Sequence, residues 1–198
     1  MHETVGKLDW ETIWYLNPDK RHLIQTFIGI SENAALHPFQ SFANLWMAFN
    51  AFGSVATAFD SDWKIIQICG SDDQMRNGFK ELLGNDDSFA IHVREFVGAW
   101  PIYSEREAFR VYRANQRRQG IDTNIPDEAE MRRLCANGSV ERHPPDFSLS
   151  WANVLDAIYT VRCNLFHGGK TPVNERDVQL VELSRNILSR MMAKLELG

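Results

Sequence analysis

The chain has 198 residues, of which 44% are apolar and 24% are charged, and its formal net charge is −5 at pH 7. This length and composition suit a single domain with a sizeable buried core. The negative charge argues against a protein that coats nucleic acid through bulk electrostatics, but it leaves room for a local basic surface.

The ends and the cysteines bear on the cellular compartment. No basic N-terminal segment precedes an apolar run, and no window approaches the roughly eighteen apolar residues that a membrane span needs. Cys69, Cys135 and Cys163 are odd in number and widely spaced, so a disulfide framework is not expected. These features predict a cytoplasmic protein without membrane contact.

Two short helical patterns come first. Residues 8–16 predict one or two amphipathic turns, and residues 19–29 predict a short helix capped near Asp19. Both have the character of packing elements at the edge of a larger core.

Pro38 opens the first long helix, whose pattern continues to about Phe59. Its apolar side chains recur three and four residues apart and predict a helix buried on most sides: Phe42, Leu45, Phe49, Phe52 and Ala56. Asn50 lies in the middle of this helix. It is either a structural asparagine with partners across the core or a residue that positions active-site groups.

Shorter helical units follow. One segment covers Trp63 to Cys69, and two helices are predicted at about 72–83 and 86–100. Pairs of acidic residues precede both helices, where a side-chain cap and the helix dipole favour them. No calcium-loop spacing follows these pairs, so a metal site is not predicted there.

The composition changes after Pro101. Residues 103–146 are charged and rich in turn signals, which predicts a charged helix, a loop, a short helix at 127–136 and another loop. We interpret residues 101–147 as an insertion between two core pieces, about 37–60 and 148–196, of one domain. Four arginines recur on one helical face: Arg106, Arg110, Arg113 and Arg117. They form either a solvated face or a phosphate-binding patch.

The second core helix is predicted at about 151–167. Two adjacent apolar stripes run along it, and Arg162 takes a place that the pattern would give to an apolar side chain. A separate polar edge contains Asp156, Thr160, Asn164 and His167. Gly168-Gly169 ends the helix, and a last helix is predicted over 173–196 with Val173 on its apolar face. Without strand or hairpin signals, the predicted fold is all-α.

Three chemistries compete for residues 162–171. A phosphate-binding loop is disfavoured, because a helix precedes Gly168-Gly169-Lys170 and Pro172 follows it. Cys163 and His167 are four residues apart, but no further metal-ligand or oxyanion-hole motif accompanies them. Arg162 and His167 are the stronger pair, because a guanidinium matches phosphate oxygens and imidazole exchanges protons near neutral pH.

These groups suit the attack of a ribose 2′-hydroxyl on the adjacent phosphate, a reaction that needs no metal. Positions five apart on a straight helix differ by about 140°, so the two side chains do not share a face. The reach of the arginine, an unwound helix end or a second protomer would have to bring both side chains to one phosphate.

The segment Tyr159-x-x-Arg162-Cys163-Asn164-Leu165-Phe166-His167-Gly168-Gly169-Lys170 resembles the Arg-x4-6-His motif of HEPN domains, in particular the Apea-like branch. Residues 45–51 resemble the early core helix of such proteins. The resemblance covers about 37–60 and 148–196.

The resemblance implies an antiparallel α-helical bundle, here with additional short helices, that often dimerises so that two motifs share one cleft. Many HEPN proteins are metal-independent endoribonucleases of toxin–antitoxin or antiviral systems, while others only bind RNA, nucleotides or partner proteins. It implies that Arg162 binds phosphate or polarises the reacting group and that His167 is the general acid or base. It also implies no cofactor, an RNA substrate, and an antitoxin or another protein as a candidate partner. The residue after the arginine is commonly polar in active members, and here it is Cys163.

Around this pair we assign supporting roles to three further residues. Asn50, Asn164 and Tyr159 are candidate positioning groups, and Lys170 is a candidate phosphate contact.

Overall fold

A computed structural model of the chain describes residues 8–10, 18–99, 101–120, 128–138, 140, 142–143 and 148–195. The predicted turns at 8–16 therefore lie largely outside these residues, as does Trp100. In the described ranges the chain forms nine helices and two short strands: α1 (Pro18–Ser31), α2 (Pro38–Thr57), α3 (Asp62–Ser71), α4 (Asp73–Asn85), α5 (Asp87–Gly98), β1 (Ile102–Tyr103), α6 (Glu105–Arg118), α7 (Glu128–Ala136), β2 (Arg142–His143), α8 (Trp151–Phe166) and α9 (Glu175–Lys194).

The mostly helical class predicted from the sequence is confirmed. One element was missed, since β1 and β2 pair antiparallel with Ile102 opposite His143 and Tyr103 opposite Arg142. Strands of two residues, forty positions apart, leave neither an alternating pattern nor a hairpin turn in the sequence.

Local capping explains where α2 begins. Pro38 occupies the first helical turn, where its missing N–H is not needed. His37 accepts a hydrogen bond from the Phe39 N–H, and the Gln40 side chain accepts one from the His37 N–H. The helix ends at Ala58, which has a left-handed backbone.

The main core is built around α2, which packs against α1 and α9, while α8 packs against α3. Its aromatic side chains are almost fully enclosed: Trp46, Trp151, Phe42, Phe49, Phe52, Phe79, Phe89 and Phe96. The indole N–H of Trp151 donates to the Cys69 carbonyl oxygen at 3.1 Å and fixes the start of α8 against α3. Residues from both ends of the described chain thus complete one core.

A second, smaller cluster lies within residues 103–140. Tyr103, Ala108, Tyr112, Leu134, Cys135 and Val140 enclose it, with Val111 and Met131 packed at its edge. It joins β1, α6 and α7, so this segment has a small apolar core of its own.

The prediction for the last helix needs one correction. The sequence pattern places Val173 on the buried face of the helix, but the residue is 88% exposed and precedes α9. Asn174 is the N-cap, and its side chain accepts from the Asp177 N–H at 3.1 Å. This cap moves the start of the helix beyond Val173.

No helix in the described ranges combines the length and the apolar character that crossing a membrane requires.

Candidate functional site

The polar edge of α8 faces β1, β2 and the start of α6. The Asn164 side chain is buried, donates to the Tyr103 carbonyl oxygen at 2.8 Å and accepts from the Glu105 N–H at 3.0 Å. One turn or more earlier, the Thr160 hydroxyl lies 3.2 Å from His143 Nε2. These contacts fix β1, β2 and the start of α6 against α8.

Asn164→Ala is expected to destabilise the fold by about 2–4 kcal/mol, because it removes the hydrogen bonds to the buried Tyr103 carbonyl oxygen and to the partly buried Glu105 N–H. Urea unfolding followed by circular dichroism measures the change. Asn77→Ala, at an exposed position of α4, is the matched control and should shift the free energy of unfolding by less than about 0.5 kcal/mol. An Asn164→Ala protein as stable as this control would contradict the anchoring role.

A glycine pair ends α8 and places His167. The Gly168 N–H donates to the Leu165 carbonyl oxygen and the Gly169 N–H to that of Asn164, at 3.2 and 2.8 Å. Gly168 has φ of +75°, a backbone conformation that favours glycine. His167 is therefore held at the helix end by backbone hydrogen bonds, and its side chain is exposed.

Lys170 is buried in an ion-pair cluster directly after this turn. Its ammonium bonds to the Glu105 carboxylate and lies 2.8 Å from Asp177 Oδ1. The other oxygen of Asp177 accepts from the Thr171 N–H at 3.0 Å. Burial raises the pKa of the Glu105 carboxyl above its ordinary value, although the Lys170 ammonium opposes the rise.

This cluster bears on the role that we predicted for Lys170. The side chain of Lys170 is only 2% exposed, and both carboxylates would have to release it before it could reach a phosphate. Gly169 allows the Glu105 carboxylate to pack against the backbone of this loop, because a Cβ at position 169 would collide with that carboxylate. In this arrangement Lys170 ties the loop after α8 to α6 and α9.

The His167 side chain opens on a cavity of about 710 Å³, called the His167 cavity below. Its walls come from the end of α8, the start of α9 and α6, and they include Arg106, Phe109, Gly168, Thr171 and Asn174. Arg106 is exposed and brings a positive charge to the same cavity as His167. Arg176 also lines it, but its guanidinium donates to the carbonyl oxygens of Ala99 and Pro101.

The predicted arginine face of α6 forms a second concavity of about 580 Å³, which we call the arginine groove. Its walls contain Arg106, Arg110, Arg113 and Arg117, as the helical spacing predicts. Arg106 and Phe109 line both the arginine groove and the His167 cavity, so the two spaces adjoin.

Arg162 points to a different side of α8. Its guanidinium lies 2.9 Å from Asp62 Oδ2 on α3, and both side chains are 21% exposed. It also lies over the rings of Phe166 and Trp46, at 4.6 and 5.7 Å from their centroids. Within one chain, Arg162 therefore contacts α2 and α3, while His167 faces α6 and α9.

Tyr159 belongs to the Arg162 side. Its ring stacks on Trp46 at 6.0 Å and lies 6.2 Å from Trp63. Burial, followed by a hydrogen bond with Cys163, raises the pKa of Tyr159 to about 12, so the phenol stays protonated near neutral pH. Tyr159 thus packs among the aromatic side chains beside Arg162.

The remaining candidate residues are Asn50 and the cysteines. Asn50 is half-buried on α2, and its side chain has no hydrogen-bond partner in the described part of the chain. Cys69 is buried, which raises its pKa to about 12 and leaves it a protonated thiol. Cys69, Cys135 and Cys163 form no disulfide bond in the described part of the chain.

Sequence reasoning missed Glu105, Asp177 and Asp62 as partners of the central residues. Glu105 and Asp177 lie in the first turns of their helices, where acidic residues are ordinary, so nothing local marks them. Asp62 opens α3 in the same way. Among the described residues, no three His, Cys, Asp or Glu side chains converge in a metal-binding arrangement.

Comparison with known proteins identifies no relative: no family model, no curated protein and no solved structure matches this chain.

Proposed function

We propose that the protein is a metal-independent endoribonuclease of the HEPN type and that it acts as a homodimer. The observation that carries the proposal is the place of His167: an exposed imidazole on a cavity that adjoins a groove of four arginines. Such a surface attracts a polyanion and places a proton-exchanging group beside it.

The reaction follows from the chemistry of RNA. The ribose 2′-oxygen attacks the adjacent phosphorus and loses its proton to a base, while the bond from phosphorus to the 5′-oxygen breaks and that oxygen takes up a proton. The products are a 2′,3′-cyclic phosphate and a 5′-hydroxyl end. His167 serves as acid or base, and a guanidinium stabilises the charge that develops on the phosphoryl oxygens.

A second protomer explains why Arg162 and His167 diverge in one chain. Phe166 and Trp63 are 48% and 49% exposed on the side of the molecule where Arg162 lies. Exposed aromatic side chains of this kind are enriched where proteins associate. In the proposed dimer this face meets a second copy, so that Arg162 of one protomer approaches His167 of its partner.

Further support comes from an unsatisfied donor. Arg162 Nε is buried and has no hydrogen-bond partner among the described residues. Buried donors without partners are uncommon, and functional sites are one place where they are retained.

Complementation between inactive variants tests the arrangement. Arg162→Met and His167→Ala should each abolish cleavage of single-stranded RNA in excess chelator. An equimolar mixture, denatured and refolded together, should regain roughly a quarter of wild-type activity, because half of the dimers then carry one intact site of two. Methionine keeps the apolar stem of Arg162 against its aromatic neighbours.

Three results would overturn the two-chain site: a mixture that stays inactive although its members fold and dimerise, a wild-type protein that is monomeric, or an active Arg162→Met variant. Activity that survives Arg162→Met and is lost in Arg106→Gln would place the essential cation in the same chain as His167.

One observation favours a second candidate function, a non-catalytic RNA-binding or protein-interaction module. The Arg162–Asp62 ion pair joins α8 to α3 and gives Arg162 a structural role. For such a module, purified wild-type protein leaves RNA intact, and Arg162→Met lowers the thermal stability.

A further inference from the structure

We infer that the arginine groove binds the phosphate backbone of single-stranded RNA and leads it into the His167 cavity. The inference rests on the proposed function for the identity of its ligand. It assigns the binding energy to α6, which lies outside both segments that resemble HEPN domains.

The spacing of the arginines fits a strand that runs along the helix. From Arg106 to Arg117 the helix rises by about 17 Å, so the four arginines offer positive charge along a strand of several nucleotides. Glu107 is the acidic side chain in the described wall of the groove, and Arg110 pairs with it at 3.4 Å. Arg106, Arg113 and Arg117 have no ion pair with a described residue.

An aromatic ring lies where the groove meets the cavity. Phe109 is half-buried, lines both spaces and has the guanidinium of Arg113 over its ring at 5.5 Å. A base stacked on an exposed aromatic ring contributes about 1–3 kcal/mol whatever its identity. The combination of phosphate-binding cations and a stacking ring is typical of single-strand binding without sequence preference.

The dimensions of the cavity favour a single strand over a duplex. A space of about 710 Å³ accepts a molecule the size of a nucleotide or two. Continuity from the groove to His167 therefore requires the bases to be unpaired, and an unpaired ribose also has the freedom to align its 2′-oxygen for attack.

The charge of the rest of the chain restricts where RNA binds. The protein as a whole has a formal net charge of −5, which disfavours binding of a polyanion through overall charge alone. Binding should consequently depend on a small set of arginines, and their removal should be distinguishable from a general change in charge.

The test measures the binding of a fluorescent twelve-nucleotide 2′-O-methyl RNA, which cannot be cleaved, by fluorescence anisotropy at several salt concentrations. The groove variant is Arg110→Gln, Arg113→Gln, Arg117→Gln. The control, with the same change in net charge, is Arg21→Gln, Arg76→Gln, Arg94→Gln, all at exposed positions on other helices.

The groove variant is expected to bind at least about tenfold more weakly than wild type. Its slope of log K against log salt should be shallower by about 2, since each lost phosphate contact to a single strand contributes about 0.7. The control should keep the slope and affinity of the wild type. Equal losses in both variants, wild-type binding by the groove variant, or equally good competition by polyglutamate would each overturn the inference.

A failure of RNA binding by the arginine groove can be distinguished from a failure of the proposed RNA cleavage. The 2′-O-methyl RNA reports on binding alone, because its methylated 2′-oxygen cannot attack the adjacent phosphate. Loss of cleavage without loss of this binding concerns the catalytic proposal alone. Cleavage without any dependence on the groove arginines refutes the inference alone.

Discussion

His167→Ala is expected to lower the rate of RNA cleavage by about 10²–10⁴-fold, the usual contribution of a positioned general acid or base. The fold should not change, because the side chain is exposed and the end of α8 is held by backbone hydrogen bonds. The measurement follows the cleavage of a labelled single-stranded RNA in excess chelator, with mass spectrometry of the product ends.

His22→Ala provides the matched control, since His22 is an exposed histidine on α1, outside the lining of the His167 cavity. It should cleave at the wild-type rate. If purified His167→Ala retained full activity, or if wild type and variant both left RNA intact, the catalytic assignment of His167 would be refuted. Binding of the 2′-O-methyl RNA would then show whether the surface still recognises RNA.

Lys170→Met should destabilise the protein by about 3–5 kcal/mol, because it removes the cation from two largely buried carboxylates. Chemical unfolding at pH 7 measures the loss. Lys80→Met, on the exposed side of α4, removes the same charge and should have an effect below about 0.5 kcal/mol.

The dependence of stability on pH shows whether Lys170→Met destabilises the protein through the lost ion pairs or through poor packing of the methionine. The pKa of Glu105 is already raised by burial, and the loss of the Lys170 ammonium removes a group that opposes the rise. A carboxyl whose pKa is raised on folding binds its proton more tightly in the folded state, so stability falls as the pH rises through that pKa. The deficit of Lys170→Met should therefore shrink as the pH is lowered towards the ordinary glutamate pKa of 4.5; a deficit independent of pH would instead indicate a packing defect.

Much of the helical framework was predictable because its signals are local. Pro38 with its preceding cap, the acidic caps before α4 and α5, and the glycine pair after α8 each act within a few residues. The arginine face of α6 was predictable for the same reason, since helical spacing alone places its members together.

The partners of the central residues were not predictable. Lys170 meets a carboxylate 65 residues earlier in the chain, and Asn164 meets a carbonyl 61 residues earlier. A lysine after two glycines indicates a phosphate contact as readily as a buried ion pair, and only the positions of Glu105 and Asp177 around the ammonium distinguish the two. The side of α8 that Arg162 faces likewise depends on where α3 lies.

The packing of α2 against α9 and of α3 against α8 also has a consequence for biosynthesis. The aromatic side chains of α2 leave the ribosome well before α9, which packs against them, because residues 58–174 are synthesised in between. Contacts of such long sequence separation slow folding relative to ordinary helical bundles. During that interval the exposed aromatic surface is a target for chaperones and for aggregation.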